Sequence, residues 1–226
     1  MSFTRFFAGL LLLCMLPLAA CGQTAPKPVQ EGVDYEVLTQ GQRWQKPDGR
    51  IEVVEVFAYW CPHCDDFQSM VDAWKRTMPA DVRFSYVPAA FDPEDTYASA
   101  YFAVERAGAV PKLHQAIFDA IHRQGMLPHS NPTYDELGTW FGQRGLNRSR
   151  MVGLLSSAEV AAQVQAARRF MIANHVKSTP TLVVNGKYVV RAARQEDRFR
   201  VVDALLAMER AAMARGAAAP AAKKTP

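Results

Sequence analysis

The sequence contains two cysteines three residues apart, in the segment Cys61-Pro62-His63-Cys64. A run rich in β-branched and aromatic residues, 51–60, precedes the pair, and an amphipathic pattern of helical spacing follows it. Two thiols at the junction of a strand and a helix are typical of a redox centre. Pro62 suits the first helical position, so Cys61 would face free backbone amides and the positive end of the helix dipole. The sequence therefore predicts a lowered pKa for the Cys61 thiol.

One of the two residues between the cysteines, His63, indicates a direction for this redox chemistry. His63 can offer a positive charge or a hydrogen-bond donor to the Cys61 sulfur, which favours the thiolate. A stabilised thiolate stabilises the reduced pair, so the disulfide becomes a strong oxidant. Cys64, one turn into the helix, is expected to be the less exposed, resolving thiol. The pair should donate disulfides more readily than it reduces them.

Two other uses of closely spaced cysteines fit the sequence poorly. A structural zinc site needs two further ligands, and no second cysteine pair or matching histidine spacing is present. Attachment of a c-type haem needs a histidine directly after the second cysteine, where this chain has Asp65. No metal or organic cofactor is expected.

The N-terminal segment predicts export and a lipid anchor. Residues 6–18 are almost entirely apolar and follow the single cation Arg5, so residues 1–20 are interpreted as a signal peptide. The segment ending Leu18-Ala19-Ala20-Cys21 resembles the lipobox of bacterial lipoproteins, which implies an acylated Cys21. The alternative is an ordinary signal that is cleaved nearby and leaves Cys21 as a free thiol. Of the 4 cysteines, Cys14 leaves with the signal and Cys21 is predicted to be acylated. Only the pair at 61 and 64 is therefore predicted to be available for chemistry.

The charge of the chain gives no indication of nucleic-acid binding. The formal net charge is +4, and removing residues 1–20 removes Arg5 and no acid, which leaves +3. The basic residues are scattered rather than gathered in a stripe with aromatic residues.

Composition and periodicity divide the chain after the signal peptide into five segments. Residues 21–34 are rich in proline and polar residues and are predicted to be an extended tether. Residues 35–94 contain the strand at 51–60, the helix that stops before Pro79, and a second strand at 81–88, which together predict a β-α-β unit. Residues 95–174 read as an inserted helical subdomain, residues 175–215 return to β structure and end in a helix, and residues 216–226 are predicted to be a flexible tail.

Local signals mark two helix starts and a hairpin within these segments. Capping-box patterns occur at Thr133 with Glu136 and at Ser156 with Glu159. Asn185-Gly186 between two β-branched runs predicts a two-residue hairpin connection.

A second candidate site element, Thr179-Pro180, immediately precedes the hairpin. In one interpretation Pro180 merely begins a strand. In the other, its peptide bond is cis and presents the backbone of Thr179 beside the cysteines for strand-like pairing with a substrate. Spacing alone does not decide between these interpretations.

The segment from Glu55 to Cys64, together with Thr179-Pro180-Thr181 and residues 184–188, resembles the DsbA family of thiol:disulfide interchange proteins. The resemblance covers nearly the whole chain after the signal, and Pro-His between the cysteines is its most specific element. It implies an α/β thioredoxin fold with a helical insertion and a cis Pro180. It also implies oxidation of reduced exported proteins in the periplasm, and reoxidation by a DsbB-like membrane quinone reductase. DsbA is itself a standard example of a low-pKa, oxidising cysteine, so the direction inferred above agrees with the family and is not independent of it.

Glu55 matches a buried acid of that family, which makes it a candidate proton relay for Cys64. The alternative is a carboxylate at the margin of the sheet. The family often has another acid four residues beyond the second cysteine, where this chain has Gln68, and Asp65-Asp66 follow Cys64 instead. Acids so close to Cys61 would offset the helix dipole unless they point away.

Two rival functions remain open from the sequence. The nearest is a disulfide reductase or isomerase on the same fold, which would need a less stable reduced form. The other is a thiol-based metal-binding or holdase module that uses the cleft without turnover.

Overall fold

The computed structural model describes residues 27–218, so the predicted signal, Cys21 and the end of the predicted tail lie outside the described residues. The elements are, in chain order, β1 (Tyr35–Val37), β2 (Ile51–Phe57), α1 (Pro62–Thr77), β3 (Val82–Pro88), α2 (Thr96–Arg106), α3 (Val110–His122), α4 (Tyr134–Gly142), α5 (Arg148–Leu155), α6 (Ala158–Ala173), β4 (Thr181–Val184), β5 (Tyr188–Val190) and α7 (Gln195–Ala218).

The strands form one mixed sheet in the order β1-β5-β4-β2-β3. β2 and β3 are parallel and are joined by α1, whereas the other neighbouring strands are antiparallel. Every residue of β2 is buried between its two neighbours, which explains its almost continuous apolar sequence. The predicted α/β class, with helices α2 to α6 inserted between β3 and β4, is confirmed.

Strand β2 ends at Phe57, three residues before the predicted end at residue 60. The chain leaves the sheet because its backbone groups are used in the turn into α1. The Ala58 amide donates to Cys64 Sγ at 3.4 Å, and the Ala58 carbonyl accepts from the Cys61 amide at 3.1 Å. The cysteine pair therefore begins directly beyond the end of the central strand.

The hairpin of β4 and β5 differs from the prediction by one residue. Asn185 and Gly186 have positive φ angles of 55° and 62°, as a tight turn requires, and Lys187 N donates to Val184 O at 2.9 Å. The strand register nevertheless pairs Val184 with Tyr188, so three residues separate the paired positions. The Lys187 carbonyl instead accepts from the amide of Leu38, the residue that directly follows β1.

The caps of the inserted helices correct one sequence prediction. Thr133 and Glu136 form the predicted capping box at the start of α4. The cap of α6 is Ser157, whose hydroxyl accepts from Val160 N, and not Ser156. Ser156 ends α5, a short helix that the sequence analysis did not resolve, and its hydroxyl donates back to Val152 O. The second capping-box prediction was therefore wrong by one residue.

The described part of the predicted tether lies against the domain. The Lys27 carbonyl accepts from Arg200 at 2.9 Å, and Val29 packs against the core. The sequence analysis also missed β1, which is only three residues long. At the other end, α7 continues to Ala218, past the predicted start of the tail at residue 216. Within residues 27–218, none of the helices is both long and apolar enough to cross a bilayer.

Candidate active site

Cys61 is the N-cap residue of α1, and Pro62 occupies the first turn. The Cys61 carbonyl accepts from the Cys64 amide at 3.0 Å, so the helix begins at the cysteine itself. Both cysteines are free thiols in this structure. Cys61 is 6% exposed and Cys64 is 0% exposed, so the two sulfurs differ in their access to a reaction partner.

Hydrogen bonds lower the pKa of Cys61 to about 5. The largest contribution is the Cys64 thiol, which donates to the Cys61 sulfur, and burial opposes it. The Thr179 side chain and the backbone amides of Cys64 and His63 also stabilise the charged form. The amide contribution is the effect expected at a helix N-terminus, because the first amides of a helix have no partner within it.

Cys64 has the opposite electrostatics. Burial raises the pKa of its thiol far above the ordinary value, and the nearby Cys61 and Glu55 raise it further. The Ala58 amide, which donates to Cys64 Sγ, only partly offsets this. At neutral pH the reduced pair therefore consists of a Cys61 thiolate and a Cys64 thiol that donates to it.

His63 acts on Cys61 through its backbone amide. The imidazole is exposed and makes no hydrogen bond with the residues that the structure describes, whereas the sequence suggested that it could act on the sulfur directly. The His63 carbonyl accepts from Gln195 Nε2 at 3.1 Å, which ties the first turn of α1 to the start of α7.

The fold brings Thr179 and Pro180 to the cysteine pair. Cys61 Sγ lies 3.5 Å from the Thr179 carbonyl, to which the thiol form donates, although 118 residues separate them in sequence. The Thr179–Pro180 peptide bond is cis, as the family resemblance implies. Thr179 is half-buried, and Pro180, which directly precedes the start of β4 at Thr181, is buried.

Glu55 lies in the middle of β2 and is completely buried, so it does not occupy a margin of the sheet. Gln68 Nε2 donates to Glu55 Oε1 at 3.4 Å, and Glu55 Oε2 has no partner among the described residues. Burial raises the pKa of Glu55 to about 8, while Gln68, Lys75 and Arg198 act in the opposite direction. Glu55 is therefore an acid that can gain or lose a proton near neutral pH.

Polar side chains that no sequence pattern links to Glu55 connect it to the surface. Tyr86, which pairs with Glu55 in the register of β2 and β3, donates to Gln68 Oε1 at 3.2 Å. Lys75 Nζ donates to Tyr86 OH at 3.4 Å. These three side chains line a cavity together with His114, whose Nε2 atom is buried and has no partner among the described residues. Only the register of β2 with β3 and the docking of α1 assemble this cluster, so no local sequence signal could have marked it.

Asp65 directly follows Cys64, and its negative charge is paired. Its carboxylate is directed towards α3, where it forms an ion pair with Arg123 at 2.9 Å and accepts from Gln115 at 3.2 Å. Asp66 is exposed. The conflict with the helix dipole that the sequence suggested is thus removed by the position of α3.

The aromatic residues before the pair join the cysteines to the helical insertion. Tyr59 is buried and shares a hydrogen bond of 2.9 Å with His114 Nδ1, and burial lowers the pKa of His114 to about 3. Trp60 is partly buried, and its indole N–H donates to Asp95 at 2.8 Å. Asp95 also caps α2, so the insertion holds the strand end that carries the cysteines.

Within residues 27–218, no group of three or more histidine, cysteine or acidic side chains is arranged to hold a metal ion. The chemistry that the described side chains support directly is thiol–disulfide exchange at Cys61.

Comparisons with known proteins support the same chemistry. Residues 42–204 match the sequence model of a family described as thioredoxin. The chain is 34% identical to the thiol:disulfide interchange protein DsbA of Azotobacter vinelandii over 83% of this chain and 88% of the relative. It is 31% identical to that of Pseudomonas aeruginosa over 90% of this chain and 98% of the relative. The crystal structure of the oxidoreductase DsbA from Xylella fastidiosa superposes with a TM-score of 0.78 at 40% identity, covering 81% of this chain and 98% of that one.

Proposed function

This chain belongs to the DsbA family of thiol:disulfide interchange proteins and is a thiol:disulfide oxidoreductase, and we propose that Cys61 is the sulfur that substrates attack. The observation that carries this assignment is the position of the two sulfurs. Cys61 Sγ lies at the helix N-terminus beside the Thr179 carbonyl, whereas Cys64 is fully buried behind it. Disulfide exchange needs access to the attacked sulfur and a leaving thiolate of low pKa.

The reaction begins with a disulfide between Cys61 and Cys64. A substrate thiolate attacks Cys61 Sγ, which forms a mixed disulfide and breaks the bond to Cys64. Cys64 then takes up a proton, because burial raises the pKa of its thiol. A second substrate thiolate attacks the substrate sulfur of the mixed disulfide, and the Cys61 thiolate leaves. The substrate has lost two electrons and two thiol protons, and the enzyme pair is reduced.

Glu55 is proposed to move the Cys64 proton. It lies near enough to Cys64 to raise the pKa of that thiol, and its own pKa of about 8 lets it exchange protons near neutral pH. Gln68, Tyr86 and Lys75 extend hydrogen bonds from Glu55 towards the surface.

Thr179 is proposed to bind the substrate backbone. It is half-buried beside Cys61 and precedes β4, so an extended segment that pairs with it would place its cysteine at the reactive sulfur. Pro180 directly follows Thr179 and is buried. Its ring fixes its own φ angle, which restricts the loop at this point, and it has no N–H of its own.

The direction of the reaction can be measured by equilibrating the protein with reduced and oxidised glutathione. We expect a strongly oxidising pair, because the low pKa of Cys61 stabilises the reduced form. The Cys64→Ser variant is the control and should show no intramolecular redox transition. A reduction potential at or below about −270 mV, that of thioredoxin, would contradict disulfide donation and favour a reductase.

The cellular setting is proposed from the sequence. Reduced exported proteins in the periplasm are the proposed substrates, and a DsbB-like membrane quinone reductase is the proposed oxidant of the reduced pair. Lipidation of Cys21 would hold the protein at a membrane through its N-terminus.

Lipidation predicts a specific mass for the mature protein. The membrane-extracted protein should begin at Cys21 and carry the added mass of an acylated cysteine, whereas the Cys21→Ser variant should be recovered in the soluble fraction. Intact-mass measurement of both proteins checks this. An unmodified Cys21, or cleavage at another residue, would refute the anchor and leave the redox function untouched.

A further inference from the structure

Arg198, in the first turns of α7, lies at the active site although no sequence pattern marks it. Its Nη1 atom donates to the Pro180 carbonyl at 2.8 Å. The guanidinium also lies over the ring of Phe67, 5.5 Å from the ring centroid. Arg198 therefore joins α7 both to the loop that holds Thr179 and to the helix that carries the cysteines.

Arg198 is a half-buried cation without a carboxylate partner among the described residues. The neighbouring arginines of α7 differ in this respect, because Arg194 and Arg200 both pair with Asp197, at 2.9 and 3.6 Å. Burial lowers the pKa of Arg198, and the acidic groups that oppose this shift are Cys64, Glu55 and Cys61. A partly desolvated charge needs opposite charge nearby. Of these three groups only Cys61 is mainly ionised at neutral pH, because burial raises the pKa of Cys64 and of Glu55.

The position of Arg198 is held by packing on both sides. Phe67 of α1 stacks on Phe199 with ring centroids 5.3 Å apart and planes 4° apart, and Phe199 stacks in turn on Trp74. Gln195, one turn earlier in α7, donates to the His63 carbonyl. Because α7 is fixed at both ends of the cysteine helix, the guanidinium charge is placed before any thiolate forms, and no reorganisation is needed when it does.

We propose that Arg198 is a positioning residue whose charge stabilises the Cys61 thiolate, while its N–H group binds the Pro180 carbonyl and so holds the loop whose Thr179 carbonyl lies beside that sulfur. This inference rests on the proposed role of Cys61 as the attacked sulfur. When the mixed disulfide breaks, negative charge develops on Cys61 Sγ, and Arg198 stabilises it. Arg198 thus makes the disulfide of this chain more oxidising than the helix N-terminus alone would.

Other groups also act on Cys61 and must be kept constant in a test. Cys64 and the His63 amide act on it from α1 and Thr179 from the loop before β4, while Glu55 of β2 acts on Cys64. Asp65 is paired with Arg123, the C-cap residue of α3, and is not a partner of Arg198. The test therefore changes Arg198 alone.

The variants Arg198→Met and Arg198→Lys separate charge from packing, with Arg200→Met as the matched control on the same helix. Absorbance of the thiolate at 240 nm, followed against pH in the reduced protein, reports the pKa of Cys61. Equilibration with glutathione reports the redox constant. For Arg198→Met we expect the thiolate titration of Cys61 to move to higher pH. We also expect the redox equilibrium with glutathione to shift about three- to tenfold towards the oxidised protein, an effect between those of an exposed and a buried charge pair. Arg198→Lys should restore most of both effects, and Arg200→Met should change neither.

A purely structural role would give a different pattern. It would lower the thermal stability of the oxidised and reduced forms equally and leave the thiolate titration at its wild-type position. An unchanged titration in Arg198→Met, or an Arg198→Lys variant that behaves like Arg198→Met, would overturn the proposal.

A measurement on the wild-type protein covers the case in which the variants do not fold. The Arg198 Nε–H resonance of the reduced protein should shift with pH around 5, where Cys61 titrates, and should stay constant in the oxidised protein. No shift would overturn the inference about Arg198 alone. If the wild-type thiol itself titrates near the ordinary value of a free cysteine, about 8.5, the proposed role of Cys61 fails instead.

Discussion

Replacing Cys61 with serine is expected to abolish disulfide donation completely. Without Cys61 no disulfide can form within the pair, and the remaining Cys64 is fully buried with a raised pKa. Serine is close to cysteine in size and can still cap α1 through its hydroxyl, so the fold should be kept. The loss should therefore be one of chemistry in a folded protein. At neutral pH the variant should be less stable than the reduced wild-type protein, because it lacks the stabilised Cys61 thiolate.

The matched variant Cys64→Ser should fail in a different way. Its Cys61 keeps the small exposed surface that Cys64 lacks, and should react with a disulfide reagent to form a mixed disulfide. That product should persist, because the resolving thiol is absent. Cys61→Ser should give little or no such product, because Cys64 lies behind the reactive position.

Oxidation of a reduced dithiol peptide, followed together with mass spectrometry under non-reducing conditions, measures both expectations. A mixed disulfide that accumulates on Cys64 in the Cys61→Ser variant, and not on Cys61 in the Cys64→Ser variant, would reverse the assigned roles. If the wild-type protein is active and Cys61→Ser is not, the holdase and metal-binding alternatives are excluded. Activity retained in Cys61→Ser would sink the proposed mechanism.

Replacing Glu55 with glutamine is expected to stabilise the oxidised protein at alkaline pH and to slow disulfide exchange. Glu55 has a pKa of about 8 in the folded protein, against an ordinary value of 4.5. At a pH between these two values, Glu55 therefore takes up a proton when the protein folds. The free energy of unfolding should fall as the pH rises through this window, by about 1.4 kcal/mol per unit and at most about 5 kcal/mol in total. Glutamine removes this penalty. It also removes the proposed proton carrier, and we expect exchange to slow by about tenfold to a hundredfold.

Glu52 offers a control in the same strand. It is also completely buried, but its carboxylate accepts from the backbone amides of Trp44 and Gln45 at 2.8 Å and pairs with Arg83 at 3.1 Å. Glu52→Gln should therefore destabilise the protein, by roughly 2–4 kcal/mol, because it leaves bonded partners unsatisfied. Two buried glutamates three residues apart should thus respond to the same substitution with opposite signs.

Urea unfolding of the oxidised proteins at pH 4, 6 and 8 measures these effects without interference from the thiols. The stability gain of Glu55→Gln should be small at pH 4 and largest at pH 8. Equal stability of Glu55→Gln and wild type at pH 8 would mean that Glu55 does not hold a strongly raised pKa. Normal stability with unchanged exchange rates would exclude it as the proton carrier.

The amino-acid sequence was sufficient for the features that depend on neighbouring residues. An apolar run, two cysteines and a helical pattern in succession placed Cys61 at a helix N-terminus, where the orientation of the amides lowers the pKa of its thiol. Gly186 and Asn185 marked the hairpin, because few other residues adopt positive φ angles readily. Errors occurred where several local choices were nearly equal, as at Ser156 and Ser157, since only the end of α5 decides which hydroxyl caps α6.

Periodicity could not decide which residues meet Cys61 from a distance. Thr179 reaches Cys61 because β4 pairs with β2 in the sheet, and Arg198 reaches the same loop because α7 docks on α1 through stacked rings. Asp65, whose charge would oppose the helix dipole, is paired with Arg123 at the end of α3.

The sequence of this protein alone determined the reactive pair, its position at a helix N-terminus and the direction in which its electrons should move. The tertiary structure decided how that reactivity is controlled, by burying Glu55 and Cys64 and by placing Arg198 without a carboxylate partner among the described residues. The physical reason is the range of each effect. Helix dipoles and turn conformations act within a few residues of chain, whereas desolvation and charge pairing depend on every element packed around a group, wherever it lies in the sequence.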